Sequence, residues 1–220
     1  MTRNQDRITS SNVESVSSHF REWGSAILSD AMGTCGKSFQ AMDAGIRPLA
    51  PEMKIAGPAF TVRCYPGATW ALENAIEKAS PGDVLVVDGG SYPDSILMGS
   101  MMSTRAQQRG LAGAIVDGAV RDIEEVLKLG FPVFTRHICP RAGTFAEIGE
   151  LQTTVCCGRL PIQPGDWIVA DVTGVAVIPV AIMDEVINEA EKIYRKEQSM
   201  AKHLKAGLNL QESSERARGE

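Results

Sequence analysis

Apolar residues recur along this chain in two periods, and their alternation predicts an architecture before any composition is considered. Near the amino end Val13, Val16, Phe20 and Trp23 fall at helical spacing, and Gly24 punctuates the run. A second short helix is predicted over residues 25–32, while 34–57 carry glycines and prolines without a sustained period and read as irregular. A strand is predicted over 58–65 (PAFTVRCY) and a helix over 68–79. Pro81-Gly82-Asp83 then launches a buried strand, 84–87, that ends at Asp88-Gly89-Gly90. A helix over 95–109, a buried strand over 112–118, a helix over 121–129 closed by Gly130 and a strand over 132–136 follow. Short apolar strands alternating with helices predict an α/β fold with a mainly parallel sheet and helical crossovers.

The second half is richer in strands. Pro164-Gly165-Asp166 followed by WIVAD repeats the turn, apolar run and aspartate of the Pro81 segment, which reads as two equivalent strand starts in one sheet system. Residues 174–180 form another predicted strand. A long helix begins near Ala181, carries Ile182, Val186, Ala190, Ile193 and Tyr194 on one face, and runs past Glu197 toward Gly207. The tail from Asn209 is polar and expected to fray. The expected organisation is one domain over 1–220, with a helical segment in 1–24 and a polar tail at 208–220.

Composition narrows the function classes. With 44% hydrophobic and 22% charged residues, the chain reads as globular and large enough to fold without disulfides or a structural metal. A net charge of −5 without a basic stripe argues against a nucleic-acid surface. The amino end lacks an apolar signal core, and no stretch approaches the roughly 18 apolar residues of a membrane span. No membrane partner and a cytoplasmic location are therefore expected. Five cysteines without a Cys-x-x-Cys pair and three scattered histidines do not make a zinc site; the thiols read as small core residues in a reducing compartment.

In open α/β sheets ligands bind beyond the carboxyl ends of strands, often against helix amino termini. Three places qualify: Asp88-Gly89-Gly90, the Asp117-Gly118 run into Arg121-Asp122, and the turn at Gly174, which reads as structural only. Arg121-Asp122 carries the most weight, since it follows a buried strand at the first turn of a helix. Taken alone, the pair reads first as a carboxylate favoured by the helix dipole and a solvated arginine. His137, beside Arg136 in a predicted loop, reads as exposed, Asp30 and Arg63 as candidates for a subunit contact, and Met98, Met101 and Met102 as packing under the cleft.

The runs GDVLVVDGGS (82–91), LMGSMMSTRAQQRG (97–110) and LAGAIVDGAVRDIEEV (111–126), continued by FPVFTR, PGDWIVADVTGVAVIP and KEQSMAKHLKAG, resemble the RraA-like family from about Ser25 to Gly207. DGAVRD with its flanking strand is the specific part. The resemblance implies a swivelling β/β/α sandwich assembled as a homotrimer or hexamer. It also implies a metal-dependent aldolase or decarboxylase acting on keto acids such as 4-hydroxy-4-methyl-2-oxoglutarate and oxaloacetate. The alternative within the family is a non-catalytic regulator that binds ribonuclease E. Carried over, Asp122 would hold Mg2+ (or Mn2+) and Arg121 the keto acid. The amides of Gly99, Ser100, Met101 and Met102 would take the substrate carboxylate, and Glu197 from a neighbouring subunit would close the site. Retro-aldol cleavage and β-keto acid decarboxylation both leave a pyruvate enolate, whose charge needs a Lewis acid and a cation placed in advance. A lysine Schiff base is the other route, but no lysine lies in an apolar strand or beside a clear activating cluster. A methyltransferase finds little support, because no nucleoside-binding pattern follows Gly89-Gly90.

One departure matters. The family's aldolases carry an acidic residue, twenty residues, then Arg-Asp; here that position is Ser100. A serine can hydrogen-bond a water but supplies neither charge nor a base near neutral pH. Three expectations follow: a weakened aldolase, a lyase retuned to another keto acid with Asp94 or Asp88 reaching the metal's waters, or a binding role. The lyase comes first because Arg121, Asp122 and Glu197 are present.

Overall fold

The Gly24 that punctuates the first apolar run does break its helix in the computed structural model of the chain, which describes residues 10–219. α1 (Ser10–Thr34) has φ 78° and ψ 170° at Gly24, so it consists of two helical arms. Asp171 caps the second arm, accepting from the Ser25 amide at 2.8 Å and from its hydroxyl at 2.8 Å. The order continues β1 (Arg47–Pro48), β2 (Ile55–Arg63), α2 (Trp70–Lys78), β3 (Val84–Asp88), β4 (Ile96–Met98), α3 (Ser100–Gln108), β5 (Gly113–Val120), α4 (Ile123–Leu129) and β6 (Val133–Ile138). Then come β7 (Glu150–Leu151), β8 (Val155–Cys157), β9 (Leu160–Ile162), β10 (Trp167–Asp171), β11 (Gly174–Ile178), a 3-10 turn at Val180–Ile182, α5 (Met183–Lys205) and α6 (Leu210–Ala217).

Four expectations are corrected. The stretch read as irregular contains β1 and the start of β2. Gly57 and Pro58 lie within β2; a Cβ on Gly57 would fall 2.3 Å from the Gly82 carbonyl oxygen, so that glycine serves close backbone approach, not a break. The helix predicted over 95–109 opens instead with β4, whose Ile96, Leu97 and Met98 are all buried and have no polar face to show a helical period. The tail is ordered: Asn209 and Glu212 form a capping box at the start of α6, and Ser213 and Ala217 are buried. His137 belongs to β6 and is half-buried.

The main sheet has nine strands in the order β1-β6-β5-β3-β2-β10-β11, with β4 added to β5 and β7 to β2. Strands β2, β3, β5 and β6 are mutually parallel, as is β4 beside β5. The two turn–strand–aspartate segments become β3 and β10, which flank β2 on its two sides, one parallel and one antiparallel. The sheet curls until it is nearly closed. Helices α2, α3 and α4 cover one side of it over Phe60, Leu72, Leu85 and Val116. Helices α1 and α5 cover the β10–β11 end, where Phe20 meets Trp167 edge-on at 5.3 Å, an arrangement worth about 0.5–1.5 kcal/mol beyond its burial. This is the swivelling β/β/α sandwich that the resemblance implied. No helix among the described residues is long and apolar enough to cross a membrane.

Candidate functional site

The end of β3 at Asp88 and the Asp117 of β5 in register with it are closed by the chain itself. The buried Asp117 accepts from Gly158 N at 2.7 Å, Ser91 Oγ at 2.8 Å and Arg136 Nε at 2.6 Å. Arg136 reaches on to Asp43 at 2.7 Å, and that ion pair, ahead of the Gly45 amide, holds the Asp43 carboxyl below its usual range. Asp88 accepts from Cys156 N at 3.1 Å and lies 3.7 Å from Arg63, which also pairs with Glu150 at 3.1 Å. Both aspartates therefore anchor the β8–β9 hairpin over the sheet. Asp88 is not available to serve a metal's waters, and Asp94 is exposed outside the Arg121–Asp122 cleft.

Beyond Asp117, β5 runs on to Val120 and exchanges its neighbour, pairing with β4 through Ala119 and Val120. The carboxyl ends of two adjacent parallel strands thus lie side by side, and Arg121 N donates to Met98 O at 3.1 Å. From one end the chain leaves as Gly99-Ser100 into α3, from the other as Arg121-Asp122 into α4. This is where ligands bind in α/β sheets.

Asp122 sits in the left-handed region at φ 58° and ψ 44° and does not cap its own helix. An aspartate tolerates that conformation better than most residues. It turns its Oδ2 to the amino end of α3, accepting from Ser100 N at 3.2 Å and Ser100 Oγ at 3.0 Å. The Ser100 amide, then its hydroxyl and the Arg121 guanidinium, hold the Asp122 carboxyl below its usual range. Oδ1 has no hydrogen-bond partner among the described residues. Gly99 makes the approach possible: a Cβ there would stand 2.8 Å from Asp122 Oδ2 and 3.3 Å from Arg121 Cγ.

Arg121 touches Asp122 once, Nε to Oδ2 at 3.6 Å, and its Nε is buried without a hydrogen bond. Its two terminal nitrogens and the amides of Met101 and Met102 find no acceptor among the described residues. An open arginine and a carboxylate therefore border one cleft of about 300 Å³, lined by Arg121, Asp122, Ile138, Cys139 and Pro140, and the two open amides lie in the first turn of α3, which Ser100 joins to Asp122. The larger clefts, about 650 and 500 Å³, lie along α5.

Of the residues singled out from sequence, Gly99, Ser100, Arg121 and Asp122 come together here, and Met101 and Met102 follow Ser100 in the first turn of α3. Met101 is 82% exposed at the start of α3 and does not pack beneath the cleft, unlike Met98 and Met102. Glu197 is exposed in the second half of α5, which packs on α1 and α6, and it does not line the cleft within one chain. Asp30 is exposed on α1. Sequence reasoning missed Ile138, Cys139 and Pro140; only the parallel pairing of β6 with β5 brings them to Arg121.

Comparison with known proteins shows the family and the fold. A family model described as "RraA-like: Aldolase/RraA" matches residues 25–177. A Halalkalibacterium halodurans protein, whose name assigns it provisionally to the 4-hydroxy-4-methyl-2-oxoglutarate aldolases, is 36% identical over 79% of this chain and 80% of its own. A solved protein of Pseudomonas syringae pv. tomato superposes with a TM-score of 0.80 at 26% identity, over 91% of this chain and 96% of that one. RraAS2 of Streptomyces coelicolor, described as an unusual member of the RNase ES inhibitor RraA protein family, superposes with a TM-score of 0.74 at 28% identity over 88% and 96%.

Proposed function

The chain belongs to the RraA-like family, and from that premise we propose that it is a divalent-metal-dependent carbon–carbon lyase releasing pyruvate from a keto acid. The observation that carries the reading is the convergence of Arg121, with its terminal nitrogens free, on the Ser100-anchored carboxylate of Asp122 in one cleft. Arg121 binds a substrate carboxylate, and its planar donor fork fixes the orientation of the keto acid. The Met101 and Met102 amides, at the positive end of α3, orient the oxygens beside the carbon that will carry charge. Ile138 and Pro140 keep water from that side of the cleft.

The donor set bears on the metal. Among the described residues no group of three histidine, cysteine, aspartate or glutamate side chains could hold an ion, which disfavours a zinc-type site. A single carboxylate with one oxygen free suits a magnesium ion, which keeps most of its waters. Asp122 would hold Mg2+ (or Mn2+) there, and when bound the ion supplies a Lewis acid for the developing enolate charge. We further propose that the protein is a homo-oligomer, trimer or hexamer, in which Glu197 of a second copy closes the cleft.

The test is pyruvate release from oxaloacetate by the purified protein with magnesium, with chelator and with Arg121→Ala. Loss of about 10²–10³ in turnover on removing Arg121, the range seen when one preorganised charge-stabilising donor is lost, supports the lyase. Wild-type protein inert under every condition favours the second reading, a regulator acting by protein contact. That alternative draws on Ser100 in place of a carboxylate and on the likeness to RraAS2.

A further inference from the structure

We propose that Ser100 partitions this site toward decarboxylation of β-keto acids and away from aldol cleavage, an inference that rests on the lyase reading above. Ser100 gives both its amide and its hydroxyl to Asp122 Oδ2, at 3.2 and 3.0 Å, so it serves as an anchor for that carboxylate. Asp122 is the one carboxylate among the described residues lining the cleft. The nearest sheet-end carboxylates, Asp88 and Asp117, are turned to the β8–β9 hairpin amides. Cys139 adds a thiol whose Sγ already accepts from the Arg141 amide at 3.4 Å. If Asp122 holds the metal, no second carboxylate of the same chain, among the described residues, lines the cleft to take a proton, and the Glu197 that closes the cleft in the assembly comes from a second copy.

The two reactions differ in their need for that acceptor. In aldol cleavage of a 4-hydroxy-2-keto acid, the hydroxyl proton must leave as the C3–C4 bond breaks. The C4 oxygen becomes a carbonyl, and the bonding electrons pass to C3 and the keto group as an enolate. In decarboxylation of a β-keto acid the carboxylate is already ionised. Its C–C bond breaks, carbon dioxide departs, the electrons form the same enolate, and water returns one proton to C3. The electron sink is common to both, and the base is required only by the first. A positioned base contributes about 10²–10⁴ in rate, so its absence separates the reactions by at least about 100-fold.

The experiment uses the full chain with magnesium and measures kcat/KM for oxaloacetate and for 4-hydroxy-4-methyl-2-oxoglutarate in parallel, for wild type, Ser100→Asp and Ser100→Ala. Oxalate, a planar enolate mimic, is titrated calorimetrically into each as a readout independent of turnover. Wild type is expected to favour oxaloacetate by about 100-fold or more, Ser100→Asp to narrow that ratio at least about tenfold, and Ser100→Ala to leave the ratio unchanged. A wild-type ratio within about tenfold of unity, or an unchanged ratio in a Ser100→Asp protein that binds oxalate normally, overturns the proposal. The wild-type ratio decides alone if Ser100→Asp does not fold. Wild type that binds oxalate but turns over neither substrate sinks the lyase reading and this inference together, whereas similar turnover of both sinks this inference only.

Discussion

Asp117→Asn tests whether the aspartate at the end of β3's partner strand is a structural anchor or part of the chemistry, since sequence alone offered it as a ligand-binding position. Its two oxygens receive three donors: Ser91 Oγ and Arg136 Nε on Oδ1, Gly158 N on Oδ2. An asparagine has one acceptor oxygen and one NH2 group. Facing the oxygen to Arg136 sets the NH2 against the Gly158 amide, which stood 2.7 Å from the carboxylate; the flipped amide opposes Arg136 instead, at the 2.6 Å contact. Either orientation leaves a buried donor without an acceptor, at about 1–3 kcal/mol, and removes a charge-assisted bond worth about 1.5–3 kcal/mol. Arg136 keeps Asp43 at 2.7 Å, which places the total near the lower end of the 3–5 kcal/mol typical of a broken buried pair, about 3 kcal/mol. For a chain of this size that lowers Tm by roughly 6–12 °C. Urea unfolding at one fixed protein concentration gives the difference, with concentration held because assembly is linked to stability. Ser91→Ala, which removes one hydrogen bond to the ionised carboxylate from an exposed serine, is expected to lower stability by about 1.5 kcal/mol, the low end for a bond to a charged group. A loss below about 1 kcal/mol in Asp117→Asn, or abolished turnover with wild-type stability, would refute the anchor and return Asp117 to the site.

Gly99→Ala should cut turnover about tenfold or more, as expected when positioned groups shift, while Tm stays near wild type, because the added Cβ meets Asp122 Oδ2 at 2.8 Å at the cleft and not in the core. Dialysis against a chelator should abolish pyruvate release, and magnesium should restore it; retention of full activity in excess chelator contradicts the metal reading. Thiol titration of native protein should modify the exposed Cys156 first, with Cys157 and Cys64 silent until unfolding, since both are buried and burial pushes the Cys64 thiol up to about 12. The Asp43 carboxyl is held below its usual range by Arg136, so its contribution to stability is full above the unfolded carboxylate value near 4 and is lost as pH falls through the lower folded value. Unfolding curves across acid pH should therefore show Asp43→Asn with a flatter decline below about pH 4 than wild type; identical slopes would remove Asp43 from the account.

The central strands and their order of use were legible because β3 and β5 are apolar runs bounded by turns, the pattern of a sheet covered on both sides. The break at Gly24 was legible as well, since a helical stripe stopped there. What escaped notice had no period to show. Strands β7, β8 and β9 span two or three residues each, too short for alternation. Helix α6 buries a serine and an alanine, which carry little apolar signal, and its capping box is the one feature that announced it. Met101 looked like packing because methionine is apolar, yet it stands exposed in the first turn of α3.

The site itself turned on one misread element. Reading 95–109 as a single helix left β5 ending at Asp117-Gly118, level with Asp88, so that Asp88-Gly89-Gly90 stood as a ligand position beside the more heavily weighted Arg121-Asp122. With β4 present, β5 gains a third partner strand beside β3 and β6 and continues for three residues past Asp117. A register shift against β6 between Val116 and Ala119 accommodates the change of partner. The carboxyl edge of the sheet moves outward with it, from Asp117 to Val120, and the rule that ligands sit at that edge then selects Arg121-Asp122 without reference to any relative. The inner level becomes a buried anchoring layer in which aspartates are consumed by hairpin amides. The outer one leaves an arginine and a carboxylate oxygen open to the cleft. Asp88-Gly89 and Asp117-Gly118, alike in sequence, thus share one anchoring role, and a three-residue strand sets Arg121-Asp122 apart from them.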